Sequence, residues 1–252
     1  MNATRFLISP ALALLCVALS SRPAAAQRSS GDGFLFGPPR ASLALRMGYA
    51  MPSAGSDLFA FVTDELSLRR RDFGSYAYGA DFVVRLNFRL SAVISADLGG
   101  MDKKSDYREW QDNSGLPIEQ STSFSRKTVT ASLRYYLLPT GRRLSKFAWI
   151  PSRFAPWASA GAGRTYYEFA QQGDFVDFTN GNRVFYDSFK SSAWGFTAQA
   201  SGGVDWSLSP RLVMTTQAKY FRGKADLDLD YSGFAPIDLS GLSMTGGLAI
   251  RF

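Results

Sequence analysis

Any chemistry in this chain has to be built without histidine. None occurs among its 252 residues, and there is one cysteine, Cys16. A hydrolase with an imidazole base is therefore excluded, and the commonest zinc ligand is missing. The charged side chains are what remain: 28 Lys and Arg against 21 Asp and Glu. Ten of them recur at alternate positions among small and polar residues: Arg46, Asp81, Arg85, Asp97, Arg134, Arg164, Glu168, Asp205, Lys219 and Arg251. Mixed signs on one face of extended segments suit a salt-bridge network filling a closed interior, or the lining of a polar conduit. Asp226, Asp228 and Asp230 also alternate. They offer clustered oxygens to calcium or a lipid-bridging cation, or a charged edge that discourages strand pairing. Arg69-Arg70-Arg71 suits phosphates, and equally a solvated loop. No spacing implies a cofactor or a catalytic residue.

The segments that must position these charges begin after a secretory leader. Arg5 gives a positive start, Phe6 to Ser20 is largely apolar, and Ala24-Ala25-Ala26 supplies the small residues for cleavage before Gln27. Pro10 interrupts the apolar stretch, which is too short for a spanning helix. Leu15 stands before Cys16, where a lipoprotein needs a small residue. Cleavage would remove that cysteine, and with it any disulfide or thiolate metal site. It would also remove Arg5 and Arg22, lowering the formal net charge from +7 to +5. For an exported chain with its charges spread along alternating segments, that excess does not indicate nucleic acid. The expected organisation is a leader over 1–26, a Gly- and Pro-containing periplasmic arm over 27–39, and one β domain over 40–252.

Mean hydropathy is near zero, and no apolar run of spanning length follows residue 26. Eight stretches instead alternate with period two. The first sets Leu43, Leu45, Met47 and Tyr49 against Arg46. The second sets Tyr76, Tyr78, Phe82 and Val84 against Asp81 and Arg85. The third sets Ile94 and Leu98 against Asp97, and the fourth Val129, Leu133 and Tyr135 against Arg134. In the fifth, the contrast puts Trp157, Thr165, Tyr167 and Phe169 outside and Ala158, Ala160, Ala162, Arg164 and Glu168 inside. The sixth sets Trp194, Phe196 and Trp206 against Gln199 and Asp205. The seventh sets Met214 and Tyr220 against Lys219, and the eighth Leu248, Ile250 and Phe252 against Arg251.

Polar faces so rich in charge fit a narrow watery interior with lipid outside. A soluble lipocalin-like barrel would need the reverse. The sequence therefore predicts an all-β, eight-stranded antiparallel up-and-down transmembrane barrel. Asn180-Gly181 predicts a two-residue type I′ hairpin, which would place Tyr167 opposite Trp194 and Trp157 opposite Val204. Trp157, Tyr167, Trp194 and Trp206 would then form the membrane-interface girdles. The ten residues from Trp157 to Tyr167 span about 25 Å of depth at ~40–45° tilt. Short links at 89–91 and 209–211 predict periplasmic turns, with both termini on that side. Long links at 50–72, 103–122, 170–191 and 222–238 predict extracellular loops. Segment 139–153 is long and basic on the periplasmic side. Ser56-Asp57 before Leu58, Phe59, Phe61 and Val62 predicts a short capped helix.

The last strand, Gly246-Gly247-Leu248-Ala249-Ile250-Arg251-Phe252, resembles the small outer-membrane barrels typified by the OmpA membrane domain and OmpX. So does the block from Gly202-Gly203-Val204-Asp205 through Leu208-Ser209-Pro210-Arg211. The resemblance implies an integral outer-membrane protein in contact with lipid and lipopolysaccharide. It implies delivery by periplasmic chaperones and recognition of the terminal Phe252 by the barrel-assembly machinery. Enzymes of this kind that deacylate lipid or cleave phospholipid use a histidine base, which this chain lacks. Three functions stay open: a structural or interaction barrel presenting loops to an extracellular ligand, a narrow pore for ions or small solutes, and, remotely, an enzyme of unfamiliar chemistry.

Overall fold

The computed structural model describes residues 34–111, 115, 117–145, 148–177 and 183–252. The expected leader over 1–26, the start of the expected arm and the turn predicted at Asn180-Gly181 lie outside the described residues. Among the described residues the strands are β1 (Ala41–Pro52), β2 (Ser75–Arg85), β3 (Leu90–Gln111), β4 (Pro117–Tyr136), β5 (Gly141–Ser145), β6 (Ala148–Pro151), β7 (Phe154–Asp177), β8 (Arg183–Ser207), β9 (Leu212–Ala225), β10 (Ile237–Asp238) and β11 (Gly241–Arg251), with one α-helix, α1 (Asp57–Glu65).

Eight strands form the ring, in the order β1-β2-β3-β4-β7-β8-β9-β11 and back to β1, every neighbour antiparallel. Aligned partners trace how the ring closes. Ala41 faces Val84, then Ala92, Leu133, Ala160, Ala200, Tyr220, Leu242 and finally Met51. The path returns to β1 ten residues further on, a shear of ten for eight strands. That shear inclines the strands by about 40° to the barrel axis. Between Phe196 and Trp206 on β8 the outer wall then rises about 25 Å, the height of the apolar band in such barrels.

Burial divides the two faces. Leu45, Ile94, Leu133 and Phe196 are exposed outside, at 63, 58, 55 and 67%, whereas Arg46 and Asp81 inside are at 4 and 1%. A water-soluble fold would invert this. The inside-out pattern is the mark of strands that cross lipid.

Tight turns over 86–89 and 208–211 join β2 to β3 and β8 to β9, and the same end of the ring carries the starts of β1 and β7. We call it the turn end. The opposite, loop end is taller than the links suggested, because most of 103–122 and 170–191 is strand. The β3–β4 and β7–β8 ladders continue to Gln111↔Pro117 and Asp177↔Arg183.

Both ends are covered. At the loop end, α1 buries Leu58, Phe59 and Val62. Phe59 stacks edge-on against Phe73, Phe124 and Phe169, at 4.8, 5.4 and 6.0 Å between ring centres. Phe124 and Phe169 are inner-wall residues, so the helix sits as a stopper on an apolar collar, with Tyr231 against Phe169 at 5.6 Å. The expected Ser56 cap is missing: its hydroxyl bonds to nothing. Asp57 instead accepts from the amides of Leu58 and Ala235, pinning the helix to the loop after β9. At the turn end, residues 139–153 fold as the β5–β6 hairpin. Leu35 of the arm bridges to its Trp149, which is buried.

One strand departs from the sequence reading. On β7 the buried residues include Ala155, Trp157, Thr165, Tyr167, Phe169 and Gln171, while Ala158, Ala160 and Arg164 are exposed. The fifth stretch is thus turned over relative to expectation. The β7–β8 ladder pairs Tyr166 with Trp194 and Trp157 with Gly203, one residue off the register a two-residue Asn180-Gly181 turn would set. A slip of one exchanges every side chain between faces. Trp157 and Tyr167 are therefore lumen residues rather than girdle residues. Tyr166 takes the girdle place beside Trp194, their rings 5.4 Å apart, and Trp206 lies on the outer face against Phe154. Arg164 and Glu168 leave the lumen set for the outside. Glu168 meets Lys190 at 3.0 Å and Lys127 at 3.6 Å on the outer surface.

Candidate functional site

The structure brings six of the ten predicted lumen charges into one chain of contacts. Lys219 Nζ on β9 lies 2.5 Å from Asp97 Oδ2 on β3. Asp97 Oδ1 accepts from Arg46 Nη2 on β1 at 3.0 Å. Arg46 holds Asp81 on β2 through two bonds, Nη2 to Oδ1 at 2.6 Å and Nε to Oδ2 at 3.0 Å. Arg134 Nη2 on β4 reaches the same carboxylate at 3.3 Å, and Ser95 Oγ donates to it at 2.7 Å. The Arg134 guanidinium lies over the Trp157 ring, 3.8 Å from its centre. Trp157 Nε1 donates to Asp205 Oδ1 on β8 at 3.0 Å, and Tyr136 and Thr215 donate to the same group, each at 2.9 Å. Arg46 Nη1 also donates to Thr245 on β11 at 3.1 Å.

The network thus touches all eight ring strands. Bidentate and charge-assisted bonds of this kind fix geometry as well as charge. In a narrow interior such bonds offset the cost of removing charge from water, most completely at Asp81, while Arg134 Nε stays buried without a partner. The network's bonds tie strand to strand across the lumen, with the Ser95 and Thr215 hydroxyls spent on the Asp81 and Asp205 carboxylates.

Arg85 and Arg251 form a separate group at the turn end. Both guanidiniums lie over the Trp149 ring, at 5.7 and 5.8 Å. Arg85 donates to Thr140 at 2.7 Å and Arg251 to Ser207 at 2.9 Å. Two cations on one indole hold the hairpin against the barrel mouth.

The acidic trio does not converge. Asp228 accepts from the Ser192 amide at 2.9 Å and Asp230 from the Lys190 amide at 3.1 Å. Asp226 offers its carbonyl to Tyr167 at 2.7 Å. These residues fasten the loop after β9 to β8, and β9 itself ends at Ala225, short of the predicted extension. Among the described residues no group of three metal-ligating side chains occurs. Burial pushes the neighbouring Tyr231 phenol up, so it stays neutral among the stopper's aromatic rings. Arg69, Arg70 and Arg71 are exposed at a single 3₁₀ turn.

Sequence reasoning missed Trp157, Tyr136 and Arg126. Tyr136 shares the parity of Arg134, and that signal was present. Trp157 depended on the β7 register. Arg126 carries the Arg134 parity eight residues earlier and is buried.

A closed ring of eight antiparallel strands, lipid-facing outside and charged inside, defines a small transmembrane β-barrel of the outer-membrane kind. No protein-family model and no curated protein matches the sequence. Among solved structures, the outer membrane protein OprG from Pseudomonas aeruginosa is similar at 13% identity, covering 86% of this chain and 99% of that one, TM-score 0.48. Neisserial surface protein A is similar at 11%, covering 89% and 100%, TM-score 0.44. The outer membrane protease OmpT from Escherichia coli is similar at 10%, covering 87% and 98%, TM-score 0.32. At these identities the likenesses bear on neither activity nor ligand.

Proposed function

We propose that this chain is a non-conducting outer-membrane anchor that presents a rigid platform outside the cell. The observation behind it is the lumen, stoppered at both ends and bridged across by Lys219, Asp97, Arg46, Asp81 and Arg134. In this reading the turn end and both termini face the periplasm, after export on the leader of residues 1–26. The extended β3–β4 and β7–β8 hairpins then stand in the medium, where paired strands offer a stiffer surface than free loops for an extracellular partner. Around the barrel lie outer-membrane lipid and lipopolysaccharide. A narrow pore is the rival reading, and it requires the α1 stopper to leave and the ion pairs to part. No catalytic role is proposed.

Planar-bilayer recording of the purified full-length protein separates the two. We expect no unitary current steps at moderate voltage, and regular steps from the unmodified protein would overturn the closed-barrel reading. Biogenesis offers another measurement. Phe252 is exposed on the outer face at the end of the last strand, where periplasmic chaperones and the assembly machinery would meet it. Deleting it should cut the outer-membrane yield several-fold while secretion continues. An unchanged yield in fractionated membranes would count against that role.

A further inference from the structure

Two buried cations of the inner wall form no ion pair with a carboxylate among the described residues: Arg251, on the Trp149 ring at the turn end, and Arg126, further toward the loop end. Away from the turn end, the buried cations Arg46, Arg126, Arg134 and Lys219 share the lumen with Asp81, Asp97 and Asp205, and Asp238 of β10 lies near enough to act on Arg126. Arg46, Arg134 and Lys219 each make an ion pair, and among the described residues Arg126 makes none. Its guanidinium lies over the Phe221 ring at 4.6 Å and the Phe124 ring at 5.6 Å. Of its five N–H donors, one is used by the protein, from Nη1 to the Leu239 carbonyl at 3.2 Å. Arg126 is nine-tenths buried. Water screening is therefore weak, and a charge that Asp238 and Asp97 oppose only from a distance, without a bond, is unfavourable there.

The remaining donor edge meets a cavity. About 50 Å³ lies between Arg126, Lys219, Gln199, Thr128, Thr165 and Ser243, beneath the α1 stopper. That is room for about three or four water-sized spheres. Asp97 also borders it, with both of its oxygens engaged by Arg46 and Lys219. The lining thus supplies one guanidinium without a bonded carboxylate, an ammonium and several hydroxyl and amide donors.

We infer that this cavity is a binding site for one small inorganic anion of halide size, held by Arg126 and completed by Lys219. The anion supplies the bonded negative charge that Arg126 lacks and gives its idle N–H groups an acceptor. Water alone would satisfy the donors and leave the charge. A bulky organic anion does not fit the volume. The inference goes beyond the anchor reading and stands if the barrel proves to conduct.

The test uses the full barrel refolded in lipid vesicles, unfolded by urea in sodium bromide or sodium gluconate at one ionic strength. Gluconate is too large for the cavity. Once bromide exceeds its dissociation constant, the unfolding equilibrium constant should fall about tenfold for each tenfold rise in bromide. Arg126→Gln should lose that dependence, while Arg164→Gln, on the outer wall, keeps it. Crystals of the unmodified protein grown in bromide should show an anomalous-scattering peak in contact with the Arg126 guanidinium. That measurement decides the matter even if Arg126→Gln fails to fold. Equal stability of the unmodified protein in both salts, with no peak at Arg126, would overturn the site.

Discussion

Asp81→Asn should destabilise the barrel by about 3–5 kcal/mol, the cost of removing one partner from a buried ion-pair network. Asp81 is the centre of the lumen chain, receiving two bonds from Arg46, one from Arg134 and one from Ser95. Asparagine keeps the shape and can still accept from Ser95. It removes the charge that two buried guanidiniums share, and Arg134 then has no ion-pair partner. Glu168→Gln is the matched comparison. Glu168 also meets two cations, but Lys127 and Lys190 are each 59% exposed, so that loss should stay under about 1 kcal/mol. Urea unfolding in lipid vesicles gives both numbers. A second comparison separates charge from packing. Asp81→Leu combined with Arg46→Met removes opposite charges together and should recover part of the loss. If Asp81→Asn proved as mild as Glu168→Gln, the lumen would be wetter and looser than these contacts describe.

Much of this architecture was legible because lipid imposes a simple rule. A strand that crosses it must be apolar at every second position, so Leu45 and Met47 flanking Arg46 read correctly. So did Ile94 flanking Ser95, and Phe196 and Ala198 around Thr197. The rule works by contrast between faces, and β7 has the contrast reversed. Its outer face carries Ala158, Ala160 and Ala162, small residues that lipid tolerates. Its inner face carries Trp157, Tyr167 and Phe169, which pack on Arg134, on the loop after β9 and on the α1 stopper. Large aromatics inside and alanines outside look like the opposite orientation. The two-residue turn expected at Asn180-Gly181 then supplied a register that agreed with the error.

The closures at the two ends were legible only in part. Leu58, Phe59 and Val62 announced a helix, yet nothing local says that it docks on Phe124 and Phe169, residues distant in the chain. The basic 139–153 segment stayed unexplained for the same reason. Its anchor is Trp149 against Arg85, Arg251 and Leu35, contacts that exist only once the ring has closed. The charged network itself was read as a set of residues, and its order was not. Which carboxylate meets which cation depends on strand tilt and shear, and neither is written in any one strand.

Two substitutions on β7, expected to differ widely, decide its orientation. Ala160 faces outward midway between Phe154 and Tyr166, opposite Leu133 on β4 and Ala200 on β8. An arginine there would stand near mid-depth against lipid, and Ala160→Arg should cost roughly 2–4 kcal/mol in vesicle unfolding. Arg164 is four residues further toward the loop end, beside Phe196 and just below the Tyr166–Trp194 pair. Its side chain can reach the headgroup layer, where charge is tolerated, so Arg164→Ala should change stability by no more than about 1 kcal/mol. The opposite register predicts the opposite ordering. Ala160 would then face a charged lumen that accepts arginine more readily. Arg164 would sit among carboxylates, and its loss would leave one of them buried and unpaired. Should Ala160→Arg prove mild while Arg164→Ala unfolds the barrel early, Trp157 would return to the lipid face. The contacts assigned here to Arg134 and Asp205 through Trp157 would fall with it.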